Sequence, residues 1–434
     1  MTVTPPHVRE PAWRTLLDDE GRSGRPFGVL DVGSRKLCCY IARRDAGGAF
    51  ELLGAGHQAA DGFTGGEVVD AAAAEAAVRS VVDEAERQAD ERLDQMTLVF
   101  AGGEPASGYL QVEVALDGGA ARRRDVHMAL RHAARNATAD GFAIVHGVPL
   151  AHRLDGGPEV RDATGMIGKT LVVRAHLVGV RARPLTRLTD CLERCHLRTT
   201  TVLAAPYAAA LACLERDEAE RGVMVLDCGA RTTSLAVFHK GRLHYVAAVP
   251  QGAEHLTDEL QAKLHVTRAT AERLKNLEAS VVPRSCDAFD AVEISPIGAA
   301  SAADTVEVPR GRFTEILRPL SQALLGAVAE QLRQAPETAQ VAARRGLVLT
   351  GGGAQQEGLL ELASEMLGTG ARLGRPSVLD GWCEPPVAAA SGGLALAAGH
   401  DGGLGYTVER SARGPLGRPF ESLSQWLRES LGVA

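Results

Sequence analysis

The chain has 434 residues, more than one ordinary hydrophobic core organises, which predicts two or more domains. Hydrophobic residues make up 45% and charged residues 23% of the sequence, proportions typical of globular proteins. The formal net charge of −7 argues against bulk nucleic-acid binding, which needs an excess of lysine and arginine on one face. We therefore expect no nucleic-acid partner.

Cysteine spacing and hydropathy bound the protein class further. None of the eight cysteines forms a Cys-x-x-Cys pair, so we expect reduced thiols in a cytosolic protein rather than a zinc site. Residues 1–25 are polar and proline-rich, which predicts a disordered leader without a secretory signal. No apolar run approaches the roughly 20 residues that span a bilayer, so we expect any membrane contact to be peripheral.

The first half begins with a predicted β-hairpin. Residues 27–42 form two apolar runs separated by a glycine-containing turn, and an alanine-rich helix is predicted over residues 66–90. Residues 104–180 differ in character, because a basic helix lies there between alternating strands. We predict that they form a compact insert in a first domain made of residues 26–103 and 181–220.

The second half repeats the opening pattern. Residues 222–238, like residues 27–42, contain an apolar strand, an Asp, a Gly two positions later, a hydroxyl residue and a second strand. The repeat predicts two related α/β domains, each opening with a hairpin whose tip carries Asp-x-Gly. Residues 283–308 are predicted to be irregular. The remaining predicted units are a second domain (221–250 and 313–398), its smaller subdomain (251–312), a linker (399–417) and a terminal helix (418–434).

The glycine-rich turns have a chemistry in common. Backbone N–H groups of a tight turn can point at a phosphate, and the carboxylates of Asp31 and Asp227 suit a hydrated magnesium ion. Either hairpin alone is an ordinary turn. Two copies, together with a third motif in which an apolar strand runs into Gly351, Gly352 and Gly353, favour a triphosphate site between two domains.

These three motifs resemble the phosphate-1, phosphate-2 and adenosine motifs of the actin, Hsp70 and sugar-kinase superfamily. The resemblance implies an actin-like ATPase fold, with two related α/β domains around a cleft that holds ATP and magnesium. The metal ligands would be Asp31 and Asp227. Carried onto this chain, the first phosphate loop would be Asp31, Gly33, Ser34 and Arg35, the second Asp227, Gly229 and Thr232, and the adenosine contact Gly351, Gly352 and Gly353.

A helical segment around residue 272 is similar to the part of the superfamily whose Glu and Lys reach the ribose and adenine. The resemblance implies these roles for Glu272 and Lys275. The alternative is a surface ion pair between the two side chains, which are three positions apart on a helix.

Within the insert, residues 148–155 and 165–178 are similar to the second half of subdomain 1C of the FtsA family. In the terms of that family the first domain is subdomain 1A, the second is 2A and its smaller part is 2B. The resemblance implies a cell-division scaffold that binds ATP, polymerises with itself and tethers FtsZ filaments to the cytoplasmic face of the inner membrane at the septum. The C-terminal peptide of FtsZ would dock on residues 251–312, and other divisome proteins would also bind. The alternative is a PilM-like pilus-assembly protein, which shares the fold and the insert.

The C-terminal residues predict an amphipathic helix. Five apolar side chains recur every three to four residues and share one face: Phe420, Leu423, Trp426, Leu427 and Leu431. After a linker, such a helix is typical of an interfacial membrane anchor, and PilM-like proteins generally lack it. The alternative is a terminal helix packed on the protein's own core. One helix gives marginal binding, so a polymer would attach through many.

The second phosphate loop departs from the family pattern, Asp-x-Gly-Gly-Gly-Thr-x-Asp. Ala230 and Arg231 replace glycines, and Ser234 replaces an acidic residue. The segment that starts at Ala205 also lacks a Gln or Glu that would position an attacking water. We therefore expect nucleotide binding with slow ATP hydrolysis or none.

Overall fold

A computed structural model describes residues 24–44, 50–137, 141–285, 287, 289–298, 305–378 and 384–398. The predicted leader lies almost wholly outside these residues, and the predicted linker and terminal helix lie entirely outside them. The strands are β1 (Phe27–Val32), β2 (Lys36–Arg44), β3 (Phe50–Ala59), β4 (Phe63–Thr64), β5 (Glu67–Val68), β6 (Gln95–Phe100), β7 (Ala106–Ala115), β8 (Phe142–Leu154), β9 (Thr170–Arg181), β10 (Arg198–Ala204), β11 (Val223–Cys228), β12 (Thr233–His239), β13 (Arg242–Val249), β14 (Ala291–Ile294), β15 (Val306–Pro309), β16 (Leu347–Thr350) and β17 (Ala371–Leu373). The helices are α1 (Ala71–Ala89), α2 (Arg123–Asn136), α3 (Ala182–Arg194), α4 (Ala205–Cys213), α5 (Arg216–Arg221), α6 (Ala253–Leu264), α7 (Arg268–Leu277), α8 (Arg310–Arg333), α9 (Glu337–Ala343), α10 (Leu359–Leu367) and α11 (Ala388–Ala398).

Two five-stranded sheets carry the repeat seen in the sequence. The first sheet has the order β10-β6-β1-β2-β3, and the second has the equivalent order β17-β16-β11-β12-β13. Each sheet contains an antiparallel hairpin, β1–β2 or β11–β12. The strand beside the first strand of the hairpin, β6 or β16, runs parallel to it. Strand β1 is buried along its whole length, as expected for a central strand covered on both faces. The expected pair of related α/β domains is confirmed.

Two helices of small residues pack where the domains meet. Helix α4 is buried along its whole length, and α11 packs against it and against β1. A Cβ atom on Gly392 would lie 1.8 Å from the carbonyl oxygen of Ala208, so only glycine permits this approach. The alanine-rich composition of both helices, and the glycines of α11, therefore follow from the closeness of their backbones.

The insert is a separate small layer. Strands β7, β9 and β8 form an antiparallel sheet in that order, and α2 covers one face of it around a core that includes Leu171 and Leu130. The insert also contacts β13 of the second domain. His176 is fully buried there, with Nδ1 3.0 Å from the carbonyl oxygen of Leu243 and Nε2 2.9 Å from Oγ of Ser107.

Two predicted elements are wrong in detail. The helix predicted from residue 66 begins at Ala71, because the Asp70 side chain accepts the N–H groups of Ala72 and Ala73 and so caps the helix, while residues 67–68 pair as β5. The stretch 283–308, predicted to be irregular, contains the antiparallel hairpin β14–β15. Within the described part of the chain, no helix is long and apolar enough to cross a membrane.

Candidate functional site

The described residues enclose a cavity of about 550 Å³ between the two domains. All twelve side chains and glycines that the sequence singled out for nucleotide or metal binding line this one cavity. They come from the β1–β2 hairpin, the β11–β12 hairpin, α7 and the turn after β16: Asp31, Gly33, Ser34, Arg35, Asp227, Gly229, Thr232, Glu272, Lys275, Gly351, Gly352 and Gly353.

The two hairpin tips have the same turn. The N–H of Gly33 donates to the carbonyl of Lys36 at 3.1 Å, and the N–H of Gly229 donates to that of Thr232 at 2.9 Å. A Cβ atom on Gly229 would lie 2.7 Å from the Thr232 carbonyl oxygen, so a side chain at this position would force the turn open. The matching Asp-x-Gly spacing therefore reflects matching backbone geometry on the two sides of the cavity.

Each hairpin brings one carboxyl group into the cavity. Burial raises the pKa of Asp31 to about 7, with Lys36 opposing the rise and Asp227 adding to it. Burial also raises the pKa of Asp227 to about 6, again against the effect of Lys36. A divalent cation between these groups would stabilise both ionised forms.

The donor set suits magnesium better than a metal that needs a full protein cage. Among the described residues, no group of three or more His, Cys, Asp or Glu side chains is arranged to hold a metal ion. Magnesium keeps several water ligands and is commonly held by one or two carboxylates together with phosphate oxygens. Asp31 and Asp227 therefore fit a hydrated magnesium ion.

The glycine turn after β16 lies against the second hairpin. Gly351 has φ of 81°, and a Cβ atom there would lie 2.3 Å from Oδ1 of Asp227. The register of β11 and β16 places Asp227 beside Thr350, which explains the proximity. The second carboxylate and the third glycine motif thus form one packed unit.

An ion pair joins the two domains at this cavity. Nη1 and Nη2 of Arg35, from the first domain, lie 2.7 Å from Oε1 and Oε2 of Glu272, from the second. Two parallel contacts of this kind fix the orientation of both planar groups. The structure thus places Glu272 against the tip of the β1–β2 hairpin.

Lys275 is buried rather than at the surface. Its Nζ donates to Oγ1 of Thr257 at 3.0 Å, and burial lowers its pKa. The alternative prediction, a surface ion pair between Glu272 and Lys275, is therefore wrong. Lys275 lines the cavity, whereas its hydrogen-bonding partner Thr257 is not among the lining residues.

Sequence reasoning missed several lining residues, of which Lys36 and Glu254 matter most. Lys36 lies close enough to both carboxyl groups to lower their pKa values. Buried Glu254 lies 2.8 Å from Nε of Arg231, 3.2 Å from Nη2 of Arg268 and 3.8 Å from Nε of Arg35. Arg231, which replaces a family glycine, is thus drawn towards Glu254, and it is not among the residues that line the cavity.

Two further lining positions lack groups that would assist hydrolysis. Ser234 and Ala205 both line the cavity. Neither offers a carboxylate or an amide that would hold a metal-bound or attacking water. Three of the departures noted in the sequence, at Ala205, Ala230 and Ser234, therefore line the cavity, whereas Arg231 does not.

Comparison with known proteins identifies the family. The family model described as cell division protein FtsA matches residues 224–392, and the model of the SHS2 domain inserted in FtsA matches residues 102–179. The cell division protein FtsA of Rhizobium meliloti (strain 1021) is 32% identical over 426 residues, which cover 93% of this chain and 94% of that protein. This chain belongs to the FtsA family of cell-division proteins. The predicted family is confirmed.

Solved structures agree on the fold. The PilM-PilN type IV pilus biogenesis complex contains a chain similar to this one, with a TM-score of 0.58 and 17% identity over 88% of this chain and 99% of that chain. MreB5 of Spiroplasma citri, solved with ADP bound, gives a TM-score of 0.55 and 12% identity over 86% of this chain and 96% of that one. The predicted actin-like fold is confirmed. PilM is a structural neighbour only, since the family shown is FtsA.

Proposed function

We propose that this FtsA-family chain is a scaffold that binds ATP with magnesium, polymerises with itself and tethers FtsZ filaments to the cytoplasmic membrane at the division septum. The observation that carries the nucleotide part is the convergence of the three glycine motifs on one cavity between the domains. Other divisome proteins complete the set of proposed partners.

Different residues of the cavity are proposed to bind the phosphates, the magnesium ion and the adenosine of the nucleotide. Backbone N–H groups at the two hairpin tips and the ammonium of Lys36 face the phosphates, while Asp31 and Asp227 hold the magnesium ion, which neutralises phosphate charge when bound. The side-chain-free surface of Gly351, Gly352 and Gly353 receives the flat adenosine. These roles need no reacting group from the protein.

Hydrolysis is proposed to be slow or absent. An ATPase of this superfamily needs a side chain that orients the attacking water, and Ala205 and Ser234 supply none. Phosphate release measured under saturating ATP and magnesium is expected to be far slower than nucleotide exchange. Rapid turnover that Asp31→Ala abolishes would contradict this.

A substitution at the adenosine wall tests the nucleotide proposal. The nearest heavy atom to a Cβ on Gly352 is Cγ of Pro386 at 3.9 Å, so Gly352→Val is tolerated by the fold and occupies cavity space instead. Titration with a fluorescent ATP analogue should show at least tenfold weaker binding. Gly370→Val is the matched control, because a Cβ there meets nothing within 4 Å and Gly370 is not a lining residue. Equal binding by both variants would refute the assignment of the cavity.

The FtsZ peptide is proposed to dock on residues 251–312. This part of the structure exposes large apolar side chains, with Leu277 68%, Phe289 89% and Ile297 65% exposed. Phe289→Ser should weaken binding of a synthetic FtsZ C-terminal peptide, measured by fluorescence anisotropy. Val341→Ser on α9, 47% exposed and outside this subdomain, is the control. An effect of the control equal to that of Phe289→Ser would argue for non-specific binding.

The terminal helix is proposed to be the membrane anchor, with the polymer supplying many such helices. In vesicle co-sedimentation with ATP and magnesium, Trp426→Asp should release the full chain from lipid, because it places a charge on the apolar face. Gln425→Asp adds the same charge to the opposite face and should leave binding intact. If both variants sediment like the parent chain, the helix is packed on the protein instead.

A further inference from the structure

The exposed side of helix α2 in the insert is rich in arginine. Helix α2 buries Val126, Ala129 and Leu130 against the insert sheet. The only acidic side chain within Arg123–Asn136, all of which the structure describes, is Asp125, which is buried, accepts the Arg122 N–H at 2.8 Å and lies 3.6 Å from Nε of Arg124. The exposed arginines at and along this helix are Arg122, Arg123, Arg124, Arg131 and Arg135.

Exposed apolar side chains lie beside the start of this helix. Ile167 is 79% and Met166 42% exposed. The turn that carries them is tied to the helix start, because the Ala121 N–H donates to the Met166 carbonyl and the Gly165 N–H donates to the Ala121 carbonyl, both at 2.8 Å. We name the group formed by Arg122, Arg123, Arg124, Met166 and Ile167 the insert patch.

The carboxylates near this turn already have structural partners. Asp155 accepts the N–H groups of Lys169 and Thr170 at 2.9 and 2.8 Å, and Asp162 accepts that of Thr164 at 2.9 Å. Asp117 is exposed, and exposed Lys169 adds a positive charge next to Gly168. The carboxylates of Asp155 and Asp162 stay ionised in these contacts, because the backbone hydrogen bonds lower their pKa values. The positive charge at this surface therefore comes from Arg122, Arg123 and Arg124 at the start of α2 and from Lys169.

We propose that the insert patch binds an anionic phospholipid surface, with its arginines on headgroup phosphates and Met166 and Ile167 at the acyl boundary. An apolar turn edged by arginines matches the two layers of a bilayer surface, apolar below and anionic above. Single-stranded nucleic acid fits less well, because it is usually held by aromatic side chains, and the patch contains none.

Charge complementarity also explains why a second membrane contact is needed. The inference rests on the proposed membrane attachment through the terminal helix. That helix carries Arg418 and Arg428 against Glu421 and Glu429, so it brings no net charge to an anionic surface. The whole chain carries −7 and is repelled by such a surface. Stable peripheral attachment generally takes two signals, and a cationic patch complements an apolar helix.

The test measures binding of the full chain to two kinds of vesicle. One kind contains phosphatidylcholine alone, and in the other about 30 mol% of the lipid is anionic phosphatidylglycerol. Arg122→Gln with Arg124→Gln should lower binding to the anionic vesicles about twenty-five-fold, since each arginine near such a surface contributes about fivefold. It should leave the weaker binding to neutral vesicles unchanged. Ile167→Ser should lower binding to both. The control is Arg183→Gln with Arg187→Gln, a pair of exposed arginines on α3.

The outcomes separate the patch from the terminal helix. If the patch variants bind anionic vesicles like the control pair while Trp426→Asp abolishes binding, the patch assignment is overturned and the helix anchor stands. If the patch variants lose the preference for anionic vesicles while Trp426→Asp changes nothing, the patch stands and the helix proposal fails. Equal binding of the parent chain to both vesicle types would also overturn it. Thermal melts should match, because the substituted side chains are exposed.

Discussion

Replacing His176 by asparagine should make the contact between the insert and the second domain less sensitive to acid. His176 is fully buried, and desolvation lowers its pKa from 6.5 to about 3. The carbonyl of Leu243 opposes this by accepting a hydrogen bond from Nδ1. In the unfolded chain the same imidazole takes up a proton near its ordinary pKa. Asparagine can donate to the same carbonyl and does not titrate.

The sign and size of the effect follow from proton linkage. Between pH 6.5 and 3 the unfolded chain binds more protons at this site than the folded chain, so acid favours unfolding in that window. The contribution of His176 is fully present above pH 6.5 and falls as the pH drops towards 3. At pH 5 the loss from this one group comes to about 2 kcal/mol.

Urea unfolding followed by circular dichroism at pH 7.5 and pH 5.0 measures this. The parent chain should lose about 2 kcal/mol more stability between the two conditions than His176→Asn does. Exposed His196 provides the control: its φ of 62° suits asparagine, and His196→Asn should keep the parent's pH dependence. If His176→Asn loses as much stability as the parent, the buried neutral imidazole is not the acid-sensitive group.

Three further changes have opposite signs or different readouts. Gly392→Ala should lower the free energy of unfolding in urea by about 1–3 kcal/mol, because its Cβ would clash with α4. Gly326→Ala, on the exposed face of α8, should raise the free energy of unfolding by about 0.5–1 kcal/mol. Equal effects of the two changes would contradict the packing argument. Glu218→Gln should cost about 1 kcal/mol, since its carboxylate accepts from Nε and Nη2 of Arg372 at 2.7 and 2.5 Å in a partly buried pair. An unchanged unfolding midpoint would refute that. Lys275→Met should weaken fluorescent-ATP binding about tenfold without lowering the melting temperature, because a buried ammonium is costly to the fold; a large drop in melting temperature would assign it a structural role.

The two Asp-x-Gly hairpins were predictable because their signal is local. Strand, Asp, Gly and strand follow within about ten residues, and the same hydrogen bond closes both turns, at Gly33 and Gly229. The glycine motif after β16, Gly351 to Gly353, was predictable for the same reason. Their convergence on one cavity required the family resemblance, since spacing alone does not place Gly351 beside Asp227.

The features that could not be predicted from the sequence mostly depend on contacts between distant segments of the chain. Nothing near Glu254 in the chain indicates that arginines 23 residues before it and 14 residues after it surround its carboxylate, as Arg231 and Arg268 do. Lys36 looks like an ordinary strand residue until the second hairpin brings Asp227 close to it. The hairpin β14–β15 was missed because its strands have only four residues each, too few for a clear alternation.

The start of α6 is bonded to the turn between β11 and β12 at several points. The N–H groups of Ala253 and Glu254 donate to the carbonyls of Gly229 and Ala230 at 3.0 and 2.7 Å, and the Glu254 side chain holds Arg231. These contacts tie the cavity-lining turn to α6, whose roughly 18 Å lie in the subdomain proposed to receive FtsZ. We therefore expect any displacement of the turn when a nucleotide binds to move α6 with it.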